Sequence, residues 1–302
     1  MNRIRKVGVV VHPGRPPAVE LGKLLAEWAD EHGIELRTLV SERGCIGEDV
    51  PCVEPPDFAP GLDLVVTLGG DGTLLRALGL VLTEQVPALG VNAGRLGFLA
   101  ETEPHGLAAA LDAVWAGRYR VERRTTLAAR VLVGERVLAE DLAVNDVVLE
   151  KAARERLAAV AVSLGDGGPF ARYAADGVMV ASPTGSTAYS FSAGGPIVSP
   201  RLDAMLLTPI APHMVFNRSL VLHPDEAVRL EVLPDNPVIE SVDGRAAREL
   251  PPGAVVEVRR GRYDALLVRM ERADFYQLVR SKFRLADPPA TDNSAGTAPS
   301  GG

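Results

Sequence analysis

A mostly apolar run over residues 62–68 leads into Gly69-Gly70-Asp71-Gly72-Thr73, and helical spacing begins directly after it. Glycines at such a turn let the backbone come close to an anion. The start of a helix adds free N–H groups and about half a unit of positive charge. Together they suit a phosphate, with Gly69, Gly70 and Thr73 as the phosphate loop. Asp71 is out of place in a passive cradle, because a carboxylate repels phosphate. Its presence points to active chemistry, either taking a proton from an attacking hydroxyl or holding a divalent cation that bridges phosphates. The turn lacks the Gly-Lys-Ser/Thr ending of a Walker A loop, and Leu75 stands where the dinucleotide pattern needs its third glycine. A tight strand-to-helix turn with Asp71 as its cap also stays open on residue types alone.

Other polar groups are less decisive by themselves. Asn145-Asp146 is a common loop-forming pair. The hydroxyl-rich stretch over residues 184–190 would serve as a capped helix start. His213 suits a structural hydrogen bond, and Arg76 and Arg95 suit solvated surface charges.

The elements that must position these residues follow two rhythms. Over the first hundred residues, apolar runs at 7–11, 34–40, 62–68 and 88–91 alternate with helical spacing. Leu21, Leu24, Leu25 and Trp28 share one helix face, and Gly33 stands where that helix would stop. A further helix is expected over residues 73–82 and another from Glu103-Pro104, with Leu107, Leu111, Val114 and Trp115 on one face. This is the pattern of an open parallel α/β sheet. From about residue 125 to 270 the pattern changes to short β-rich runs at 128–133, 142–149, 158–164, 177–181, 228–233, 238–242 and 254–258. Gly, Asp-Gly and Pro turns separate them, as in an antiparallel β-rich lobe. Helical spacing returns over 275–283, in a segment (271–287) expected to pack back on the first lobe. The stretch 288–302 is small and polar, with the composition of a flexible tail. The division expected is 1–122, 123–270, 271–287 and 288–302.

Composition excludes several classes. The 302 residues are 47% hydrophobic and 24% charged, with a net charge of −7, so the clustered basic excess of a nucleic-acid-binding protein is missing. No stretch approaches the roughly 18 apolar residues of a membrane span. Cys45 and Cys52 suit free thiols in a reducing cytoplasm, and without partnered histidines they suggest no zinc site.

Gly-Gly-Asp-Gly-Thr resembles the motif shared by NAD kinases, phosphofructokinases and diacylglycerol-type lipid kinases. Further segments choose among them. Val144-Asn145-Asp146-Val147-Val148-Leu149 is similar to the Asn-Glu/Asp motif of NAD kinases. Asp176-Gly177, then Ser182-Pro183-Thr184-Gly185-Ser186-Thr187-Ala188-Tyr189-Ser190 and Ala193-Gly194-Gly195-Pro196-Ile197, resembles their long glycine-rich signature. Asn92-Ala93-Gly94-Arg95-Leu96-Gly97-Phe98-Leu99 and Thr208-Pro209-Ile210-Ala211-Pro212-His213 fit as well. The ordered match spans residues 7–283.

The resemblance implies a phosphofructokinase/diacylglycerol kinase-like two-domain architecture, with an α/β nucleotide-binding lobe, a β-rich NAD-binding lobe and the site between them. It implies transfer of the terminal phosphate of ATP or polyphosphate to the adenosine ribose 2′-hydroxyl of NAD. Asp71 would be the proton acceptor beside Gly72, and Arg76 would reach a phosphate. Asn145 and Asp146 would hold the adenosine side. Thr187, Ala188, Tyr189, Ser190, Phe191 and Ser192 would line the dinucleotide pocket. Asp176 would contact the nicotinamide riboside, and Arg156 and Arg245 would add substrate contacts. Mg²⁺ would arrive with the nucleotide rather than in a protein cage, and a cytoplasmic homodimer or homotetramer is implied. One position departs from the family: Ala174 stands where a basic residue is frequent, and Arg172 would need a bulged backbone to replace it. Competing readings are a lipid or sugar kinase sharing the turn, a non-catalytic NAD(H) sensor and a hydrolase. The pocket segment, the retained Asp71 and the lack of a phosphatase domain argue against them in turn.

Overall fold

The computed structural model describes residues 4–94, 97–153, 156–234, 237–245, 248–270 and 275–285. The expected tail, 288–302, lies outside them. The first lobe runs β1 (Lys6–Val11), α1 (Pro16–His32), β2 (Glu35–Leu39), β3 (Cys52–Val53), α2 (Pro55–Phe58), β4 (Leu64–Gly69), α3 (Asp71–Val81), β5 (Ala88–Asn92), α4 (Leu107–Trp115) and β6 (Arg120–Arg124). Then come β7 (Leu127–Val133), β8 (Arg136–Ala143), β9 (Asp146–Lys151), β10 (Ala158–Leu164), β11 (Pro169–Ala175), β12 (Gly177–Ala181), α5 (Tyr189–Ser192), β13 (Met205–Ile210) and β14 (Leu220–Leu222). The chain continues with β15 (Val228–Val232), β16 (Val238–Val242), β17 (Arg248–Leu250), β18 (Ala254–Arg260) and β19 (Ala265–Arg269). A separate unit beginning at residue 272 contains α6 (Phe275–Phe283), at the span its periodicity predicts.

The first sheet has the order β3-β2-β1-β4-β5-β19-β6. All its pairings are parallel except β19 with β6. The continuous apolar runs belong to strands buried on both faces. Every residue of β4 is buried, and its side chains alternate between two cores. Leu64, Val66 and Leu68 pack with Leu21 and Leu25 of α1 and Leu111 of α4, while Val65 packs with Leu74, Ala77 and Leu78 of α3. Helix α1 ends as expected, with Gly33 left-handed at φ 65°. Helix α3 starts earlier than its apolar spacing suggests, because the Gly70 carbonyl accepts from the N–H groups of Thr73 and Leu74 (3.0 and 3.1 Å). Asp71 is thereby the first helical residue rather than part of the turn.

Two antiparallel sheets, β11-β10-β15-β18-β7-β8 and β14-β13-β12-β9-β16-β17, form the β-rich region. Alternate residues such as Val160, Leu230 and Val256 from one and Leu149, Val180 and Leu207 from the other share one core. The opposite face of the second sheet carries Val148, Met179 and Ile210, against which Ala193 packs. The expected single run over 142–149 is two strands, because the chain turns at Val144-Asn145 between β8 and β9. Strand β19 falls within the range expected of the β-rich lobe, yet it pairs into the first sheet between β5 and β6.

Candidate active site

Strand order reverses at β1: β2 and β3 continue to one side, β4 and β5 to the other. Connections leaving the carboxyl ends of β1 and β4 therefore diverge and open a crevice. A cleft of about 410 Å³ lies there, lined by His12, Pro13, Arg15, Gly70, Gly72, Thr73 and Arg76. Cationic side chains and the start of α3 face one space, as phosphate binding requires. Arg76 is held in place rather than solvated. Its Nη2 donates to the Val11 carbonyl (2.9 Å) and pairs with Glu42. Glu42 is buried, and its Oε2 accepts from the Val11 N–H (2.7 Å) and the Thr38 hydroxyl (3.2 Å). Burial pushes the Glu42 carboxyl upward, against the opposing pull of the Val11 amide and Arg76. Asn92 ends β5 near Gly70, and its buried Nδ2 has no hydrogen-bond partner among the described residues. A larger groove of about 580 Å³ lies on the sandwich, but charges along it pair with each other, Arg130 with Glu140 and Arg259 with Glu257.

Asp71 turns away from the cleft, toward the loop after β5. One carboxylate oxygen accepts from the Phe98 N–H (2.7 Å) and the other from the Leu99 N–H (3.2 Å). Each oxygen keeps a lone pair free for a hydroxyl proton. Any side chain at position 97 would overlap the Asp71 carboxylate, so the glycine there is steric and not conformational. Arg95 and Leu96 of the same motif lie outside the described residues.

The Asn145-Asp146 turn comes beside α3 because Val144 is buried in the same core as Leu74 and Leu78. Asp243 fixes its shape: the carboxylate accepts N–H bonds from Val144 (2.9 Å), Asn145 (2.7 Å) and Asp146 (3.2 Å). Asp243 itself sits at φ 50°, a left-handed conformation that Asp tolerates better than most residues. From the other side, the Ser182 hydroxyl donates to the Val144 carbonyl (2.6 Å), and Gly185 lies so close to Asn145 that a Cβ would strike its backbone. Asn145 Oδ1 and Thr184 Oγ1 are buried without a hydrogen-bond partner among the described residues. Two such orphans at one turn call for a ligand group to satisfy them.

Asp146 is buried and its carboxyl is pushed up to about 7, first by burial and then by Asp243 and Glu150. Tyr189 donates to Glu150 Oε1 (2.8 Å), and burial followed by the Glu150 bond pushes its phenol up to about 12. Asp176 and Asp146 also act on that phenol, so Asp146, Asp176 and Tyr189 share one electrostatic neighbourhood. Sequence reasoning missed two of its members. Glu150 has a signal in the period-two spacing from Asp146 through Val148. Lys151, whose Nζ bonds Asp176 at 2.5 Å, has none. Lys151 also places a cation near Asp176 that does not come from position 174. Arg172 and Ala174 share the exposed face of β11, so the expectation that Arg172 needs a bulge to reach that face is corrected. The Ala174 carbonyl accepts the His213 N–H (2.8 Å).

The rest of the pocket segment is partly self-satisfied. The Thr187 hydroxyl donates to the Thr184 carbonyl (3.3 Å), Ser190 is buried against Thr208 (3.3 Å), and Ala188 joins a 3₁₀ turn to α5. Phe191 and Ser192 complete that short helix. Arg156 is exposed between β9 and β10. Arg245 donates to the carbonyls of Leu142 (2.8 Å) and Val242 (3.3 Å) and lies over Gly79 of α3, bracing the two lobes.

Known proteins share this arrangement. The profile of the ATP-NAD kinase N-terminal domain matches residues 55–119, and that of the ATP-NAD kinase C-terminal domain matches residues 144–270. NAD kinase 2 of Streptomyces coelicolor is 41% identical, with 94% of this chain and 96% of that protein aligned. The chain belongs to the NAD kinase family. The NAD kinase of Heliobacterium modesticaldum is also 41% identical, over 92% of this chain and 98% of its own. Among solved structures, yeast NADH kinase in complex with NADH superposes with a TM-score of 0.88 at 26% identity, covering 95% of this chain and 89% of that one. The lobes expected from the family resemblance, an α/β lobe with a mostly parallel sheet and a β-rich region, are those observed.

Proposed function

We propose that this enzyme transfers the terminal phosphate of a nucleotide donor to the 2′-hydroxyl of the adenosine ribose of NAD, with Asp71 accepting the hydroxyl proton. The observation that carries the reading is the position of Asp71. It begins α3, with the basic cleft on one side of the glycine turn and the Asn145-Asp146 turn beside the same helix. Donor phosphates occupy the cleft against Arg15, Arg76 and the helix start. The adenosine side of NAD takes the unsatisfied Asn145 and Thr184 groups, Tyr189 and its neighbours line the pocket, and Asp176 with Lys151 meets the nicotinamide riboside. Arg156 and Arg245 contribute at its edge.

A ribose hydroxyl is a poor nucleophile, and a positioned carboxylate base is worth roughly 10²–10⁴-fold. The remainder is positioning and charge stabilisation. Among the described residues no cluster of three or more His, Cys, Asp or Glu is arranged around an ion, and the cleft is basic. The Arg15 and Arg76 side chains of the cleft would take donor phosphates that bring their own Mg²⁺, which would neutralise charge on the leaving group. ATP is the donor favoured, polyphosphate the alternative. No described helix is long and apolar enough to cross a membrane, and we place the enzyme in the cytoplasm as a homodimer or homotetramer, which light scattering checks.

The deciding experiment incubates the protein with NAD, ATP and Mg²⁺ and follows NADP through an NADP-specific dehydrogenase. Wild type is expected to make NADP, and Asp71→Asn to lose at least about 10²-fold in kcat while folded. No NADP from NAD with ATP or polyphosphate, and no NADPH from NADH as acceptor, would reject the reaction.

A further inference from the structure

The amides that hold Asp71 belong to a loop with its own anchor on the opposite end of the chain. Arg269, the last residue of β19, is 3% exposed at its side chain. Its Nη1 donates to the Leu99 carbonyl (2.9 Å) and to Glu101 Oε2 (3.0 Å), and its Nε donates to Glu122 Oε2 (2.7 Å). Glu101 Oε1 accepts the Met270 N–H (2.7 Å), so the clamp closes on the strand that carries Arg269. Burial would raise the Glu122 carboxyl, but Arg124 and Arg269 outweigh it and hold it below its usual range. Leu99 therefore gives its N–H to Asp71 and its carbonyl to Arg269.

We infer that Arg269 is a positioning residue for phosphoryl transfer: with Glu101 it fixes the Phe98-Leu99 backbone, and through those two amides the orientation of the Asp71 carboxylate. Nothing in Arg269 touches the cleft. Its effect on the reaction passes through the Phe98-Leu99 backbone, because a planar guanidinium with fixed donors holds the Leu99 carbonyl in one place and a flexible ammonium does not. A fully buried cation between two carboxylates costs desolvation, which a hydrophobic pair at the same site would avoid. Its presence directly behind the Asp71 loop is accounted for by geometry at the reacting end. The inference rests on Asp71 as the proton acceptor.

The test uses the full-length enzyme with Arg269→Lys and Glu101→Gln, each in the wild-type and Asp71→Asn backgrounds. Steady-state kinetics are run in NAD and in ATP with Mg²⁺, and folding is followed by thermal melting. Folded Arg269→Lys is expected to lose about tenfold in kcat, since small misplacements of a reacting group carry losses of this order, with both KM values within about twofold. Glu101→Gln, which keeps the guanidinium, is expected to lose about threefold. In the Asp71→Asn background neither change is expected to cost more, because residues acting through one group are not additive. Wild-type kcat in both folded variants overturns the inference, and so do losses that add in full to that of Asp71→Asn. Should Arg269→Lys fail to fold, Glu101→Gln decides alone by the same criteria. Should Asp71→Asn itself keep wild-type kcat, the proton-acceptor reading fails and takes this inference with it.

Discussion

After β4 the chain puts a carboxylate forward and a neighbouring loop receives it: Asp71 takes one N–H on each oxygen, from Phe98 and Leu99. Before β9 the roles are exchanged. There the candidate binding residues Asn145 and Asp146 supply N–H groups, and Asp243 receives three amides from residues 144–146. Asp243 is 1% exposed at its side chain and has little capacity left for anything else. Asp71 is only half-buried and keeps lone pairs to spare. One bonding pattern thus makes a candidate base in the first lobe and a scaffold in the second. The difference lies in burial and in the number of donors.

If the comparison holds, damage to the first turn appears in the rate and damage to the second in the affinity for NAD. The largest effect is expected from Gly97→Ala, whose methyl must displace the Asp71 carboxylate. A fall in kcat of about 10²-fold with KM for NAD little changed is the expected outcome of steady-state kinetics. A near-normal kcat would mean that Asp71 does not need its present place. Next comes Asp243→Ala, which leaves three amides without an acceptor. KM for NAD is expected to rise about tenfold or more and the fold to lose on the order of 2–4 kcal/mol, while KM for ATP stays put. An equal rise in both constants would erase the distinction between the turns. Arg76→Ala is expected to raise KM for ATP by about tenfold and to leave NAD affinity alone, and the reverse pattern would move the donor out of the cleft.

The smallest effect concerns stability and pH. The Asp146 carboxyl is raised from its ordinary 3.8 to about 7, so the folded chain holds this proton more tightly than the unfolded one. Its favourable contribution is complete below about pH 4 and is lost as pH rises through about 7. Asp146→Asn keeps the neutral form at every pH. Its stability to unfolding is expected to match wild type near pH 4 and to exceed it by a margin that grows to a few kcal/mol by about pH 7 and then levels off. A gap that does not grow with pH would show that Asp146 is not the buried acid of this turn.

Much of this was legible in the residues. Strands over 158–164, 177–181 and 238–242 and the helix over 275–283 follow from period and turn signals at their observed bounds. The glycine turn after a buried strand, with an acid in it, was legible as a candidate phosphate site. Glu42, Asp243 and Arg269 were not legible, because each acts on residues far away in the chain and belongs to no local pattern. Strand β19 was read only as part of a β-rich stretch, since an apolar run does not state which sheet it will join.

The division has a physical basis. Residue types and short spacings determine what depends on neighbours along the chain: which segments bury one face or two, where a helix can begin, and which groups can bind phosphate or accept a proton. Tertiary structure alone decides what depends on long-range burial and partners. Asp71 and Asp243 are the same amino acid, and only the packing around them makes one a candidate base and the other a brace.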